Sequence, residues 1–463
     1  MIKALKQSPR GETKDFLSIL FRLSLPVIFQ NVLHSLVNLI DAIMVESLGN
    51  VALSGVGLGN QVYFIIHLII FGVASGISVF ISQYWGNQDL KGIHKSMGLG
   101  FAILMPILVL ATILVIAFPV QVLMLFTTDK DILVEGAKYL RVVSISYIFS
   151  GITMILGQSL RSTENVLVPF LSTVASLAIN VFLNAMLIYG IWIFPKLGIV
   201  GAGLATAIAR VIETIILLVV IYTKSSPVAF KIKNAFSFTK EFIIRFFKTS
   251  SFVILTETLW GFGTTLFFAA YGRVSGGSNV IQEVVAAVNV SKTIENLVLV
   301  FYWGFAAASA VTVGKFIGQN MFQKARRYAY RFILTGLIAG VILGTTLFII
   351  SNPVLSFFDD MSPNARNYAR IYITMFSIFL FLRGSCAITT VGILRSGGDT
   401  IVAMLIDIVP LYLIVLPAMF ISAIVFKFSP IVLFIIAMSY DLLRFAPSLI
   451  RILGNKWMKN VVE

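Results

Sequence analysis

Residues 16–46, 52–81, 93–118, 139–160, 166–191, 199–222, 248–272, 281–314, 329–350, 371–394, 401–424 and 430–452 form a series of apolar runs. Each is long enough to cross a hydrocarbon core of ~30 Å, which takes about 20 helical residues. No other feature constrains the fold as strongly, because inside lipid a backbone must satisfy its own hydrogen bonds and only helices or closed barrels do so. The runs are continuous and lack the alternating segments of about 10 residues that mark barrel strands. The expectation is an all-α membrane protein with twelve transmembrane helices. Composition agrees, with 58% hydrophobic and 12% charged residues and a mean hydropathy of +0.96.

The basic opening MIKALKQSPRGETK leads directly into a full-length span with no short apolar core or small-residue cleavage site, so no cleaved leader is expected. Cys386 is the only cysteine and lies within a span, which excludes a disulfide framework. The formal charge of +15 could suggest nucleic acid, but the placement of the basic residues argues against it. With the N-terminus inside, the termini and even-numbered connections carry 23 Lys and Arg, the opposite side carries 8 and the helices carry 4. This asymmetry predicts a multi-pass protein of the plasma (inner) membrane with both termini cytoplasmic and no nucleic-acid surface.

The longest polar connection, YTKSSPVAFKIKNAFSFTKEF, falls near the midpoint. Around it the chain repeats. GVASGISVFISQYWGNQ (72–88) aligns with GFAAASAVTVGKFIGQN (304–320) at an offset of 232 without a gap. LRSTEN (160–165) meets LRSGGD (394–399), and Arg210 meets Arg444, both at an offset of 234. Two six-helix lobes starting on the same face are expected, residues 1–225 and 246–463, joined by a cytoplasmic linker at 226–245. Repeated bundles around a central cleft are transporter architecture.

At this point the residues resemble a family. SLPVIFQNVLHSLVNLIDAIMVESLGNVALSGVGLGNQ places a proline early in the first span, an aspartate near its outer end and a small-residue run ending in Gly-Asn-Gln. FISQYWGNQDLKGIHKS after the second span and LRSGGDT after the tenth continue the match over essentially the whole chain. This ordered set resembles the multidrug and toxic compound extrusion (MATE) transporters. The resemblance implies two pseudo-symmetric six-helix bundles forming a V-shaped cleft, cation-driven antiport, and efflux of bulky, often cationic amphiphiles.

Within the spans the charged residues narrow the chemistry. A charge near a helix centre costs about 2.5–3.5 kcal/mol on insertion scales, so its presence calls for a cavity, a partner or a proton. Asn31, His34, Asn38 and Asp41 fall on one face of the first span. Two placements are open to Asp41: facing a protein cavity, or snorkelling at the outer interface with Glu46 beyond it. Asn180 and Asn184 lie one turn apart in the fifth span, and Thr206 lies in the sixth. Neutral amide and hydroxyl oxygens beside one carboxylate suit a small hard cation, whereas a proton needs only the carboxylate. The asparagines can equally serve as hydrogen bonds between helices. In one branch of the family an aspartate of the first helix, an asparagine and an aspartate of the fifth and a threonine of the sixth occupy the first lobe. This chain is similar at Asp41, Asn180 and Thr206 and departs at Asn184, which weakens a sodium site there and keeps proton coupling open.

In the second half Glu257, Trp260, Gly261, Thr264 and Phe268 share a face of the seventh span, a combination of acid and aromatic rings that suits an organic cation. In another branch of the family, carboxylates of helices 7 and 10 hold the coupling ion. Here the tenth span has no acid and carries Arg383, and the nearest acid is Asp407 in the eleventh. Glu257, Arg383 and Asp407 are expected to form one network with the arginine as internal counter-ion, and a static salt bridge is the other reading of it. Arg210 with Glu213, Lys292 with Glu295, and Asp441 with Arg444 are spaced as self-neutralising pairs, read as structural. Pro26, Pro169, Pro410 and Pro417 can kink their helices. His67 and His94 stand in no recognisable motif.

No Walker loop, H-E-x-x-H, cysteine cluster or usable G-x-S-x-G is present, so an enzyme or ATP-driven pump lacks support, and no cofactor is expected beyond a coupling H+ or Na+. The sequence-based reading is a monomeric secondary antiporter that exports lipophilic or cationic compounds by alternating access. The alternative is a flippase for a lipid-linked saccharide on the same superfamily fold, which needs a cleft rich in Arg and Lys. The topology is testable first. Cysteines introduced at Ser278 and Asn364 should react with an impermeant maleimide added to sealed cells and one at Ser237 should not; the reverse pattern inverts every loop.

Overall fold

A computed structural model describes residues 11–231, 235–274, 277–356, 358 and 361–462, and its regular structure is helical throughout. The long helices are α1 (Glu12–Glu46), α2 (Asn50–Gly86), α3 (Leu90–Ala117), α5 (Leu167–Tyr189), α6 (Ile199–Thr223), α7 (Lys240–Tyr271), α8 (Gly277–Gly318), α9 (Phe322–Leu355), α10 (Pro363–Arg395), α11 (Thr400–Ile424) and α12 (Pro430–Leu453). Between α3 and α5 the fourth span, α4, is a pair, Lys130–Val143 and Ser146–Ser162, bent by 47°. Among the described residues eleven helices, or twelve with this pair counted as one span, are long and apolar enough to cross a bilayer. The fourth run thus begins earlier than the expected 139–160, and its break falls at Ser144 and Ile145.

Short polar residues set the helix ends. Asp89 accepts from the Gly92 amide at 3.0 Å, and Asp129 from those of Asp131 and Ile132 at 3.0 and 3.2 Å. Ser362 caps α10 through the Ala365 amide at 3.2 Å. Gly190 closes α5 at φ 72°, which glycine adopts without strain. The prolines act differently from one another. Pro169 sits in the first turn of α5, where its missing N–H costs nothing. Pro410 opens a π-helical stretch, Pro410–Val415, within α11, and a second such stretch, Ala387–Arg395, ends α10.

Two compact units emerge, Pro26–Ile254 and Met1–Leu25 together with Leu255–Glu463. They do not divide at the expected joint, 226–245, of which residues 232–234 lie outside the described set. The boundaries instead fall inside α1, at Pro26, and inside α7. The start of α1 belongs to the second unit because Phe16 packs edge-on against Tyr328 and Phe332 at 5.8 and 5.0 Å, and Glu12 accepts from Arg327. The start of α7 belongs to the first, with Phe242 and Phe246 against Phe80 at 6.2 and 5.4 Å.

In the first unit the helices close on small residues. A Cβ on Gly55 would lie 2.9 Å from the Gly136 nitrogen, one on Gly72 2.9 Å from Ile254 Cα, and one on Gly201 2.6 Å from the Leu187 carbonyl oxygen. Close backbone approach of this kind replaces the hydrophobic drive that lipid cannot supply between helices. The second unit uses the same device, with Gly340 against the Phe381 backbone and Gly344 against the Ser377 carbonyl oxygen. The repeat is visible in the helix ends, since α2 and α8 stop at Gly86 and Gly318, the pair matched in sequence. Gly201→Leu should force α5 and α6 apart and destabilise the protein by about 1–3 kcal/mol, read as a lowered melting temperature in detergent. Unchanged melting would show that this contact carries no packing.

Candidate functional site

The first unit holds a cavity of about 440 Å3 whose wall includes Asn38 and Asp41 of α1, Asn60, Tyr63 and His67 of α2, Tyr139 and Ser150 of α4, Asn184 of α5, and Thr206 and Arg210 of α6. Its size is within the range of small-molecule pockets. Of the two placements open to Asp41, the structure shows the first, with its side chain bordering this cavity.

Asn184 donates Nδ2 to Asp41 Oδ1 at 2.7 Å. With the Asn180 amide turned so that its nitrogen faces the carboxylate, Asn180 donates to both Asp41 oxygens at 3.3 and 3.2 Å. Its other end then lies 3.4 Å from the Thr206 hydroxyl, which bonds back to the Ala202 carbonyl at 3.1 Å. Asp41 and the three residues proposed from sequence around it, Asn180, Asn184 and Thr206, therefore meet. Both amides thus offer N–H groups to the carboxylate. An amide rotates to exchange donor for acceptor, so the same two asparagines can present oxygens to a bound cation. Among the described residues the buried Asn184 Oδ1 has no hydrogen-bond partner, and it is the atom such a turn would use.

One turn along α6 from Thr206 the wall continues with Arg210. Arg210 donates Nη1 to Glu213 Oε2 at 2.7 Å, and Glu213 Oε1 accepts from Thr173 at 2.8 Å, which in turn accepts from Gln30 at 2.7 Å. The pair forms as its spacing predicts. Its two members differ in access, however: the Arg210 side chain is 24% exposed and Glu213 only 5%. His67 and Tyr63 pack at 5.6 Å, and Tyr139 donates to Asn60 at 3.2 Å. Sequence reasoning passed over His67, Tyr139 and Asn60, because only the fold brings residues of α2 and α4 to the wall.

In the second unit Glu257 and Asp407 do join a network, but Arg383 does not connect them. Arg395, at the end of the π-helical stretch of α10, pairs with Glu257 and lies 3.6 Å from Asp407. Arg444 of α12 reaches Asp407 at 2.7 Å and Asp441 at 3.9 Å, Arg383 reaches Asp441 at 3.1 Å and pairs with Glu295, and Lys292 reaches Glu295 at 2.9 Å. The order runs Glu257, Arg395, Asp407, Arg444, Asp441, Arg383, Glu295, Lys292, alternating in sign and balanced in charge. The expected tenth span stops at residue 394 and so leaves Arg395 out of the network read from sequence; in the structure Arg395 closes the π-helical stretch and is buried. Glu257 is buried against this arginine, so it is not presented to an organic cation as its helical face had suggested, while Trp260 is half-buried on the same helix. Among the described residues no cluster of His, Cys, Asp and Glu is arranged to hold a metal ion.

The MatE family model matches residues 26–186 and again residues 250–421, one match in each repeat. The chain belongs to the MATE family. MATE relatives span its whole length: the probable multidrug resistance protein NorM of Thermotoga maritima is 24% identical over 98% of this chain and 96% of its own. The multidrug resistance protein MdtK of Photorhabdus laumondii is 22% identical over 86% of each. A solved MOP superfamily transporter from Pyrococcus furiosus superposes with a TM-score of 0.83 at 18% identity, covering 95% of this chain and 96% of that one, and so shares the fold.

The charge row of the second unit has a stability signature. Asp407→Asn removes the acid between two buried arginines and should cost about 3–5 kcal/mol, seen as a large drop in melting temperature or loss of folded protein. Glu135→Gln, which opens the exposed pair with Lys138, should cost under about 1 kcal/mol. Equal effects would show that the row is not a structural spine.

Proposed function

We propose that this MATE protein is a cation-coupled antiporter that exports lipophilic or cationic compounds, and that Asp41 is the group whose charge is exchanged in each cycle. The observation that carries the reading is the carboxylate on the cavity wall, held by two asparagine amides that can reverse their polarity. A proton or sodium ion entering from outside neutralises Asp41, the amides turn or release it, and the cavity loses its attraction for a cationic substrate. Export follows if the two lobes alternate access and each ligand binds the two states with different affinity. The names of the multidrug resistance relatives support the substrate class, and the aromatic wall of Tyr63, Phe64 and Tyr139 offers ring faces to a lipophilic cation. The basic-residue asymmetry supports a plasma membrane location with cytoplasmic termini, and the protein is taken to act as a monomer. The flippase alternative draws no support from the second unit, whose arginines are matched by carboxylates.

The test is ethidium efflux from everted vesicles with sodium and proton gradients imposed separately. Wild type should respond to one gradient, and Asp41→Asn, which keeps size and fixes the site neutral, should lose at least about tenfold of gradient-driven rate while remaining folded, since a lost intramembrane charge does not impair insertion. Full efflux by Asp41→Asn together with loss in Glu257→Gln or Asp407→Asn would move coupling to the second unit.

A further inference from the structure

Among the described residues the three most exposed large apolar side chains are Ile193, Trp192 and Leu125, at 92%, 84% and 80%. The first two stand in the α5–α6 connection and the third in the α3–α4 connection. With α4 counted as one span, each follows an odd-numbered span and so lies on the same membrane face, the one that the proposed orientation places outside. Phe236 and Met321, in connections of the other face, stay below half exposed, and that face holds most of the Lys and Arg. Adjacent large apolar side chains held this far out call for a partner other than water.

The tip of the α5–α6 connection is built rather than trailing. The amides of Gly190 and Ile191 both donate to the Met186 carbonyl, at 3.0 and 3.2 Å, and on the return Leu197 donates to the Leu187 carbonyl at 2.8 Å. Trp192, between these ties, has φ 61°, a left-handed backbone that bulky residues seldom adopt. The fold thus holds an indole and the neighbouring isoleucine outward at the cost of local strain. The corresponding connection of the second repeat, α11–α12, is made the same way. Val425 and Phe426 both donate to the Ile421 carbonyl, at 2.9 and 3.1 Å, and Phe428 donates to that of Ser422 at 2.9 Å. Phe426, 61% exposed, stacks on Phe428 at 5.3 Å across Lys427, whose φ is 52°.

Helix length sets the depth of these tips. The 23, 25, 25 and 24 residues of α5, α6, α11 and α12 rise about 34–38 Å, just past a hydrocarbon core of ~30 Å, so both connections begin in the headgroup layer. Neither 190–198 nor 425–429 contains an acid, and each carries one exposed lysine, Lys196 or Lys427. Aromatic rings beside a cation match that layer, the rings resting at the acyl boundary and the ammonium meeting phosphate. We propose that the α5–α6 and α11–α12 connections are membrane anchors, Trp192 with Ile193 and Phe426 with Phe428 inserting among phospholipid headgroups while Lys196 and Lys427 pair with phosphate. The proposal goes beyond the coupling role of Asp41 and is independent of it; it rests on the order of the spans.

Ile193→Cys and Phe426→Cys, each labelled with an NBD fluorophore, report the contact directly, since Cys386 is buried. Asn364→Cys, exposed at the far end of the 33-residue α10, is the reference in water. The full-length proteins are reconstituted in vesicles of phosphatidylethanolamine and phosphatidylglycerol that contain a headgroup-spin-labelled phosphatidylcholine. Lipid quenching at 193 and 426 should exceed that at 364 about threefold, and aqueous cobalt should quench in the opposite order. Adding Trp192→Ser should bring the value at 193 down towards the reference. Lipid quenching at 193 and 426 no greater than at 364 would overturn the proposal. So would its loss as protein density rises, with energy transfer growing between donor- and acceptor-labelled copies at 193, which would assign the tips to a second copy of the chain. An error in the span order looks different: an impermeant maleimide would then reach unlabelled cysteines at 193 and 426 from opposite sides of sealed cells.

Discussion

A charge carried into hydrocarbon persists only beside an opposite charge, a hydrogen-bonding cavity or a proton, and the described structure is organised around meeting that condition. The second unit meets it by pairing. From Glu257 on α7 to Lys292 on α8, eight alternating charges connect five helices, and each member is answered by at least one neighbour of opposite sign. Such a row contributes little net stability compared with apolar packing, yet breaking it is expensive, which makes it a device for holding α7, α8, α10, α11 and α12 in one arrangement.

The first unit meets the same condition by leaving room. Its positions corresponding to Asp407 and Asp441 are Thr173 and Ala207, and its cavity carries both Asp41 and Arg210 on the wall. Duplication supplied two copies of one framework of arginines. In one copy the arginines became internal counter-ions, and in the other one of them borders a cavity. The proposal of an exchangeable charge at Asp41 rests on this asymmetry: a carboxylate held by two amides can change partners, whereas one held between two guanidiniums cannot do so cheaply.

Much of this was legible in the amino-acid sequence, for identifiable reasons. The spans follow from run length, and the repeat from ungapped matches such as Gly72 with Gly304. The cluster of Asp41, Asn180, Asn184 and Thr206 was visible because each residue is a costly polar group in an apolar run, so few residues competed for the role. Partners across helices were not legible. Arg383 is the one basic residue within the expected tenth span, while the π turns that end in the buried Arg395 have no periodicity signature. His67 and Asn60 gain meaning only from what α4 and α6 place opposite them. The unit boundaries inside α1 and α7 were hidden because hydropathy shows where a helix runs and not which neighbours its two ends choose.

The central claim, that one carboxylate exchanges a cation for the exported compound, is tested most directly by measuring cation and dye movement together in proteoliposomes of purified protein. With dye loaded inside and the driving cation outside, wild type should admit cation only while dye leaves, at a fixed ratio. Asp41→Asn should show neither the coupled influx nor its dependence on dye. Dye-dependent cation influx of equal size in the variant would contradict the account and place the exchange elsewhere in the chain.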